Sequence, residues 1–105
     1  SYNTGPYAIV ETGSNSNGTW IKFSDGTMIQ YGISASIGDN ASVYFPAQFI
    51  DPPSGLSVCN NTANNVGNNI WSISSASFTS RSIYCSSGQS TNSQRVWIAI
   101  GRWKE

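Results

Sequence analysis

The chain alternates short runs of β-branched and aromatic residues with clusters of Gly, Ser, Asn and Asp. No segment has the apolar spacing of an amphipathic helix, and apolar runs of this length between turn residues predict strands. The predicted strands are residues 19–23, 27–31, 42–46, 56–59 and 96–101, with one strand or two in the path 70–85. We therefore expect an all-β fold, a small antiparallel β-sandwich or barrel-like sheet.

The first two predicted strands form the most definite element, a hairpin around Asp25-Gly26. An Asp-Gly pair between two alternating runs supplies the positive backbone dihedrals of a tight turn. Alternation places two sets of side chains on opposite faces, namely Ile21, Phe23, Ile29 and Tyr31 on one and Trp20, Lys22, Met28 and Gln30 on the other. The first set is expected to face the core, which leaves Trp20 partly outside, where a large aromatic side chain either packs against another subunit, the favoured alternative for a small domain, or contacts a ligand.

The remaining segments are rich in turn-forming residues. Residues 1–17 carry one apolar island, 7–10, and are expected to be a connector that lays one short strand, ahead of a compact domain over residues 18–105. The Asn-rich stretch 60–69 and the Ser-rich stretch 86–94 are expected to be loops, because Asn, Ser and Gly favour turns. A polar turn is expected at residues 38–40.

The balance of charge excludes two classes of partner. Only 10% of the residues are charged and the formal net charge is zero, so no basic surface for nucleic acid or for an anionic membrane is expected. No stretch approaches the ~20 consecutive apolar residues of a membrane-spanning helix. Neutral polar side chains dominate instead, and a chain of this size benefits from burying further surface by self-association.

Few residues are suited to catalysis. The absence of histidine excludes Ser-His and Cys-His dyads and the usual zinc sites, so neither a metal nor a cofactor is expected. The carboxylates lie in turns, before a proline or near the termini, at Glu11, Asp25, Asp39, Asp51 and Glu105. We therefore expect no hydrolase activity. Cys59 and Cys85 either form a disulfide or are buried free thiols, with the second alternative slightly favoured.

The two loops combine neutral amides and hydroxyls with nearby aromatic rings, a combination that suits sugars. One candidate ligand-binding surface consists of Asn61, Asn64, Asn65, Asn68, Asn69 and Trp71. The other consists of Tyr84, Gln89, Asn92, Gln94 and Arg95. The guanidinium groups of Arg81 and Arg95 are candidates for binding a phosphate or an acidic sugar, although a solvated or paired arginine is the commoner case.

Three segments resemble the C-terminal receptor-binding tip domain of bacteriophage tail fibre proteins. They are the hairpin GTWIKFSDGTMIQYG at residues 18–32, the segment VYFP at 43–46 with Phe49 and Pro52, and the closing strand WIAIG at 97–101. The resemblance covers residues 18–105, with 60–94 essentially unmatched. It implies a homotrimer at the end of a virion tail fibre that binds a bacterial surface glycan such as lipopolysaccharide. Iron held between paired histidines, as in some fibre tips, is excluded by the absence of histidine.

Three alternatives remain open at this point. Similar tips occur in shufflon-switched type IV pilus adhesins of conjugative plasmids, with the same receptor class and an extracellular location at the pilus tip. The domain can also be a purely structural cap that closes and registers a trimeric fibre while another domain binds the host. A glycan depolymerase is the third class, which the placement of the carboxylates disfavours.

Overall fold

A computed structural model describes residues 8–38, 41–61 and 66–105. Within these ranges every regular element is a β-strand, and all named strand pairs are antiparallel. The strands are β1 (Ile9–Asn15), β2 (Gly18–Phe23), β3 (Thr27–Ile33), β4 (Ala41–Tyr44), β5 (Gly55–Asn61), β6 (Val66–Ile73), β7 (Ser77–Tyr84) and β8 (Gln94–Arg102). The all-β prediction is confirmed.

The strands form two sheets that pack on one another as a sandwich. The larger sheet has the order β1-β2-β3-β8-β5 and the smaller has the order β4-β7-β6. The path 70–85 therefore contains two strands, the end of β6 and the whole of β7, joined by a turn in which Ser74 N donates to Ser77 O at 2.8 Å.

The predicted hairpin is present as β2 and β3. Its turn contains Gly26 at a φ of 98°, which an L side chain rarely adopts, and a Cβ there would meet the guanidinium of Arg102. Asp25 Oδ1 accepts a hydrogen bond from Thr27 N at 2.9 Å, and this bond lowers the pKa of the Asp25 carboxyl. The Asp-Gly pair thus both turns the chain and fixes the start of β3.

β1 lies within the segment that the sequence assigns to the connector. It forms an edge strand of the larger sheet, pairing along β2 from Ile9 opposite Phe23 to Asn15 opposite Gly18. Its Thr, Gly and Ser content hides it from a search for apolar runs, and only the start of the strand falls in the predicted island. The domain boundary itself stays a prediction.

The core centres on aromatic side chains from both sheets and the segment after β4. Phe45 packs edge-on against Phe49 at 5.1 Å and against Trp97 at 5.4 Å between ring centroids, and it lies 5.9 Å from Phe78. Edge-to-face pairs of this kind stabilise a core beyond the area that they bury. Met28, Val43 and Ala99 complete this buried group.

The predicted core face of the hairpin is wrong. Met28 and Gln30 have no exposed surface, whereas Tyr31 is 45% exposed. Trp20 lies opposite Gln30 on the same inward face and packs against the core rather than outside it. The prediction failed because the side chain of Gln30 is paired with the backbone of Ala47 and is therefore buried, which alternation alone does not reveal.

The other face of the larger sheet is apolar and uncovered. Register places Ile29 between Ile21 and Ile100, and Tyr31 beside Ile98. Large exposed fractions remain on this surface, which we call the isoleucine face: Tyr31 45%, Ile33 56%, Ile98 46% and Ile100 44%. Contiguous exposed apolar surface of this kind marks an interaction site.

The cysteines are free and exposed, so neither the disulfide nor the burial of both thiols is found in the single chain. Cys59 lies on β5 opposite Val96, at the edge of the isoleucine face. Cys85 follows β7 and lies near Gly67. The two thiols therefore belong to different sheets.

Candidate functional site

The strand registers divide the sandwich into two ends. The described chain begins at Ala8, whose carbonyl accepts a hydrogen bond from Ser24 N at 2.8 Å, and Thr27 lies opposite Arg102 at the same end. We call this the proximal end. The opposite or distal end holds the Ser16-Asn17 turn, the exit of β3 and the start of β8. It also holds the end of β5 and the turn after β7, so both segments predicted to bind a ligand lie at the distal end.

The Asn-rich stretch 60–69 is not a single loop as predicted. Asn60 and Asn61 pair with Arg95 and Gln94 as the end of β5. Residues 66–69 form the start of β6 and pair with β7. Asparagine tolerates turns, but here its backbone completes sheet ladders on both sides. Residues 64 and 65, two of the predicted ligand contacts (Asn64 and Asn65), lie outside the described residues.

Hydroxyls and amides fill the distal half of the core. Asn60 Oδ1 accepts hydrogen bonds from Ser82 Oγ at 2.8 Å and from Ser93 Oγ at 2.6 Å. The two hydroxyls also contact each other at 2.8 Å. Because buried polar groups are costly unless paired, a closed network of this kind holds its members in one arrangement.

Arg95 is at the centre of this polar core rather than on a binding surface. It has no exposed surface, and its guanidinium donates to Ile37 O at 2.6 Å, Gly38 O at 2.7 Å and Ser80 Oγ at 2.9 Å. These bonds join β7, β8 and the segment after β3. The predicted role of Arg95 in ligand contact is therefore replaced by a structural one, because its donors bind acceptors within the domain.

Asn69 and Arg81 are brought together as direct neighbours across β6 and β7. They lie on the outward face of the smaller sheet, which is mainly polar: its outward side chains include Ser42, Tyr44, Asn69, Ser72, Ser77, Thr79 and Arg81, together with Ile83 opposite Gly67. We call this surface the polar face. Arg81 Nη2 donates to Ser90 Oγ at 3.2 Å, and Ser42 Oγ lies 3.2 Å from Thr79 Oγ1.

Asn61 and Gln94 lie on the other side of the sandwich. Asn61 Nδ2 donates to Gln94 Oε1 at 2.9 Å, and both side chains continue the isoleucine face beyond Cys59 and Val96. The two predicted surfaces thus share the distal end but do not form one patch, because the outward faces of a sandwich point in opposite directions.

The turn after β7 lies between these two faces. Gly88 N donates to Tyr84 O at 2.8 Å and Tyr84 N to Gln89 O at 2.9 Å, so the turn is closed by the backbone. Gln89 and Asn92 are exposed, and Tyr84 is half-buried. This part of the predicted set remains accessible to a ligand.

Trp71 and Asn68, two further predicted ligand contacts, have different surroundings from each other. Trp71 is 58% exposed at an irregularity in β6, towards the end of that strand near the Ser74 turn. Asn68 faces the sandwich interior opposite Ser82, where its Oδ1 is buried without a hydrogen-bond partner among the described residues. Asn68 therefore does not lie on the polar face with Arg81.

A groove that the sequence did not reveal opens beside β4, at the margin of the polar face. Its volume is about 260 Å³, and the lining residues that matter here are Ser16, Asn17, Ile33, Ser34, Ser42 and Tyr44. Tyr44 is 59% exposed. The alternation of Val43 and Phe45 inward with Ser42 and Tyr44 outward was a readable signal for this tyrosine, but the groove itself joins segments far apart in sequence.

Residues 8–38, 41–61 and 66–105 contain no group of three or more His, Cys, Asp or Glu side chains placed to share a metal ion. The same ranges contain no helix that is long and apolar enough to cross a membrane. The polar face therefore offers hydrogen-bond donors, acceptors and one guanidinium as its binding chemistry.

Sequence comparison connects the chain with tail fibres. Residues 22–102 match the family described as putative tail fibre protein gp53-like, C-terminal. This match includes the hairpin from Lys22 onwards and the closing strand, two of the segments that carry the resemblance. Among curated proteins, sequence comparison found no relative.

The fold is similar to that of pyocin fibres. The C-terminal fragment 323–691 of the P. aeruginosa R2 pyocin fibre matches with a TM-score of 0.67 and 19% identity over 90% of this chain and 27% of that one. An N-truncated R1-type pyocin tail fibre matches with a TM-score of 0.68 and 19% identity over 90% and 88%. This chain thus spans about a quarter of the R2 fragment, 27%. These matches give no support to the pilus-tip alternative.

Proposed function

This chain belongs to the gp53-like family of tail fibre C-terminal domains, and on that premise we propose that it recognises a bacterial surface glycan of the lipopolysaccharide type at the fibre tip. The observation that carries the proposal is the contrast between the two outward faces of the sandwich. One is aliphatic, and the other presents hydroxyls, an amide and Arg81. A hydroxyl-rich ligand suits the second.

Arg81 and Asn69 are the central contacts of the proposed site. A guanidinium donates in a planar fork to phosphate or carboxylate, and the neighbouring amide both donates and accepts, which matches sugar hydroxyls. Tyr84, Gln89 and Asn92 extend the site towards the distal end. Asn61 and Gln94 border the isoleucine face, so their contribution is expected to be peripheral.

The isoleucine face supports self-association as a homotrimer. A sheet that is apolar on both faces requires a covering layer on each, and the smaller sheet covers only one. A shallow depression of about 250 Å³ beside Phe23 and Ile29 can accommodate a side chain of a partner copy. Three copies that bury this face would leave each polar face directed outwards.

The proposal includes no catalytic step. Among the acidic groups, Asp25 accepts a bond from the hairpin backbone and Glu11 binds Trp20 and Lys22 at the opposite end from Arg81. Glycoside cleavage requires two carboxyls about 5–9.5 Å apart at the scissile bond. Bacterial polysaccharide incubated with the intact protein is expected to keep its chain length, and shortened products would contradict this part.

The test is binding of the intact protein to an array of lipopolysaccharides from Gram-negative strains. Arg81→Gln is expected to weaken binding about tenfold, the effect of losing one charge-assisted contact. Arg102→Gln removes the same charge at the proximal end and serves as the control.

The structural-cap hypothesis predicts a different result. If the array gives no binding and the double variant Asn69→Ala, Arg81→Gln loses its oligomeric state, the domain is a fibre cap. Retention of the oligomer with loss of glycan binding supports recognition.

A further inference from the structure

We propose that the groove beside β4 is a second subsite, which binds a neutral sugar ring of the same glycan whose charged unit contacts Arg81. This inference rests on the proposed function and deepens it, since it divides the ligand into two chemically different parts. The alternation of side chains along β4 and β7 and the register of these strands show that the two subsites lie on the same surface.

The lining of the groove defines the class of ligand. Among residues 8–38, 41–61 and 66–105, no charged side chain lines it, so none of these residues offers a counter-ion to a phosphate or carboxylate. The exposed ring of Tyr44 supplies apolar surface, and hydroxyls and an amide surround it. A neutral pyranose has this same composition, with one C–H face that packs on an aromatic ring and hydroxyls along its rim.

Two polar side chains of the groove are available for a ligand. The hydroxyl of Ser16 and the side-chain amide of Asn17 make no hydrogen bond to the described residues, although the Asn17 backbone nitrogen donates to Asn15 Oδ1 at 2.8 Å. The turn that carries them is held by Asn15, whose Nδ2 donates to Pro46 O at 3.0 Å. The subsite is therefore anchored to the segment after β4 and does not depend on ligand to form.

Size fits one sugar ring. Pockets for drug-sized ligands measure about 300–1,000 Å³, and this groove, at about 260 Å³, lies just below that range. A single pyranose with one or two bridging waters matches it better than a disaccharide held in full, because ordered water readily completes polar contacts at such sites.

The groove and Arg81 lie on one continuous surface. Ser42 lines the groove and lies directly opposite Thr79, and Thr79 precedes Arg81 by two residues on β7. Two residues along a strand span roughly 7 Å. A glycan lying across the polar face therefore reaches both subsites with adjacent units.

The experiment uses the intact protein and the lipopolysaccharide from the array that binds it best. Tyr44→Ala is expected to weaken binding about fivefold or more, as expected for loss of a central aromatic contact. Tyr44→Phe keeps the ring and is expected to bind within about twofold of the wild type. Ile50→Ala removes an exposed apolar side chain at the proximal end and is the control.

Competition separates the two subsites. Methyl glycosides of glucose, galactose and mannose at millimolar concentration are expected to compete with the lipopolysaccharide in both the wild type and Arg81→Gln, but not in Tyr44→Ala. Methyl glucuronide is expected to lose its competition in Arg81→Gln instead.

Three outcomes overturn the inference, and they are distinguishable. Lipopolysaccharide binding that falls in Arg81→Gln but not in Tyr44→Ala removes the subsite and leaves the proposed function intact. Absence of binding to every lipopolysaccharide removes both. A change of oligomeric state in Tyr44→Ala, measured by light scattering, shows that a second copy of the chain occupies the groove.

Discussion

The side-chain amide of Gln30 makes two hydrogen bonds to the backbone of Ala47, one through its nitrogen and one through its oxygen. Gln30 Nε2 donates to Ala47 O at 2.6 Å, and Ala47 N donates to Gln30 Oε1 at 2.9 Å. The amide thus supplies to Ala47 the two backbone hydrogen bonds that a neighbouring strand would otherwise make. It thereby holds the segment between Phe45 and Phe49, whose side chains both lie in the core. A fully buried glutamine in this sheet has a structural role.

Gln30→Met keeps the length of the side chain and removes both bonds. We expect the free energy of unfolding to fall by about 2–3 kcal/mol, because the buried N–H and C=O of Ala47 then lack partners. Urea denaturation at fixed protomer concentration measures the change. Gln48→Met, an exposed neighbour, is the control. Equal stability of the two variants would contradict the role of Gln30.

Arg95 provides a second test of the core. Arg95→Met removes the buried bonds of the guanidinium to Ser80 Oγ, Ile37 O and Gly38 O, and we expect a loss of about 3–5 kcal/mol in stability. Arg95→Lys is expected to restore only part of it, since one ammonium cannot reach the acceptors on β7 and those in the segment after β3 together. Thermal unfolding measures both variants. Full rescue by lysine would show that charge alone suffices.

The isoleucine face predicts an oligomer that one charge disrupts. Ile98→Asp places a carboxylate at the centre of that face and is expected to give monomers with unchanged far-ultraviolet circular dichroism. Ile50→Asp adds the same charge away from the face and is expected to leave the oligomer intact. Light scattering measures the mass, and a stable oligomer in Ile98→Asp would place the interface elsewhere.

The two free cysteines report on the same face. Cys59 lies beside Val96 on it, whereas Cys85 lies beyond β7. In the wild-type assembly, a maleimide is expected to label Cys85 readily and Cys59 slowly. The reason is that assembly covers the isoleucine face, on which Cys59 lies, and leaves Cys85 accessible. In Ile98→Asp both thiols are expected to react. Mass spectrometry of the labelled peptides distinguishes the sites.

Glu11 predicts a pH dependence at the proximal end. The hydrogen bond from Trp20 Nε1, at 2.8 Å, is the largest cause that lowers the pKa of Glu11, followed by Lys22. A lowered pKa in the folded state means that this carboxylate stabilises the fold above the ordinary Glu pKa. The contribution is lost as the pH falls through the lowered value. The indole N–H resonance of Trp20 is therefore expected to titrate below the usual Glu midpoint, and Glu11→Gln should abolish that titration.

Local sequence signals predicted the hairpin and most strands correctly, because Asp25-Gly26 and the short apolar runs act within a few residues. The choice of core face failed because the apolar set with Ile29 and Tyr31 faces away from the second sheet, whereas the polar Gln30 is buried and paired with Ala47. Only the packing of the second sheet distinguishes the two faces. The groove was invisible for a related reason: Asn17, Ser34 and Ser42 meet only after three separate chain segments fold together.

Alternation along β7 has a consequence for how a fibre of this kind changes its target. Ser80 and Ser82 point inwards to Arg95 and Asn60, while Thr79 and Arg81 point outwards. If the proposed function holds, every second residue of one strand can therefore change without touching the hydroxyl network behind it. Recognition of a new glycan and stability of the fold then depend on different residues, so a single strand can diversify while its scaffold stays constant.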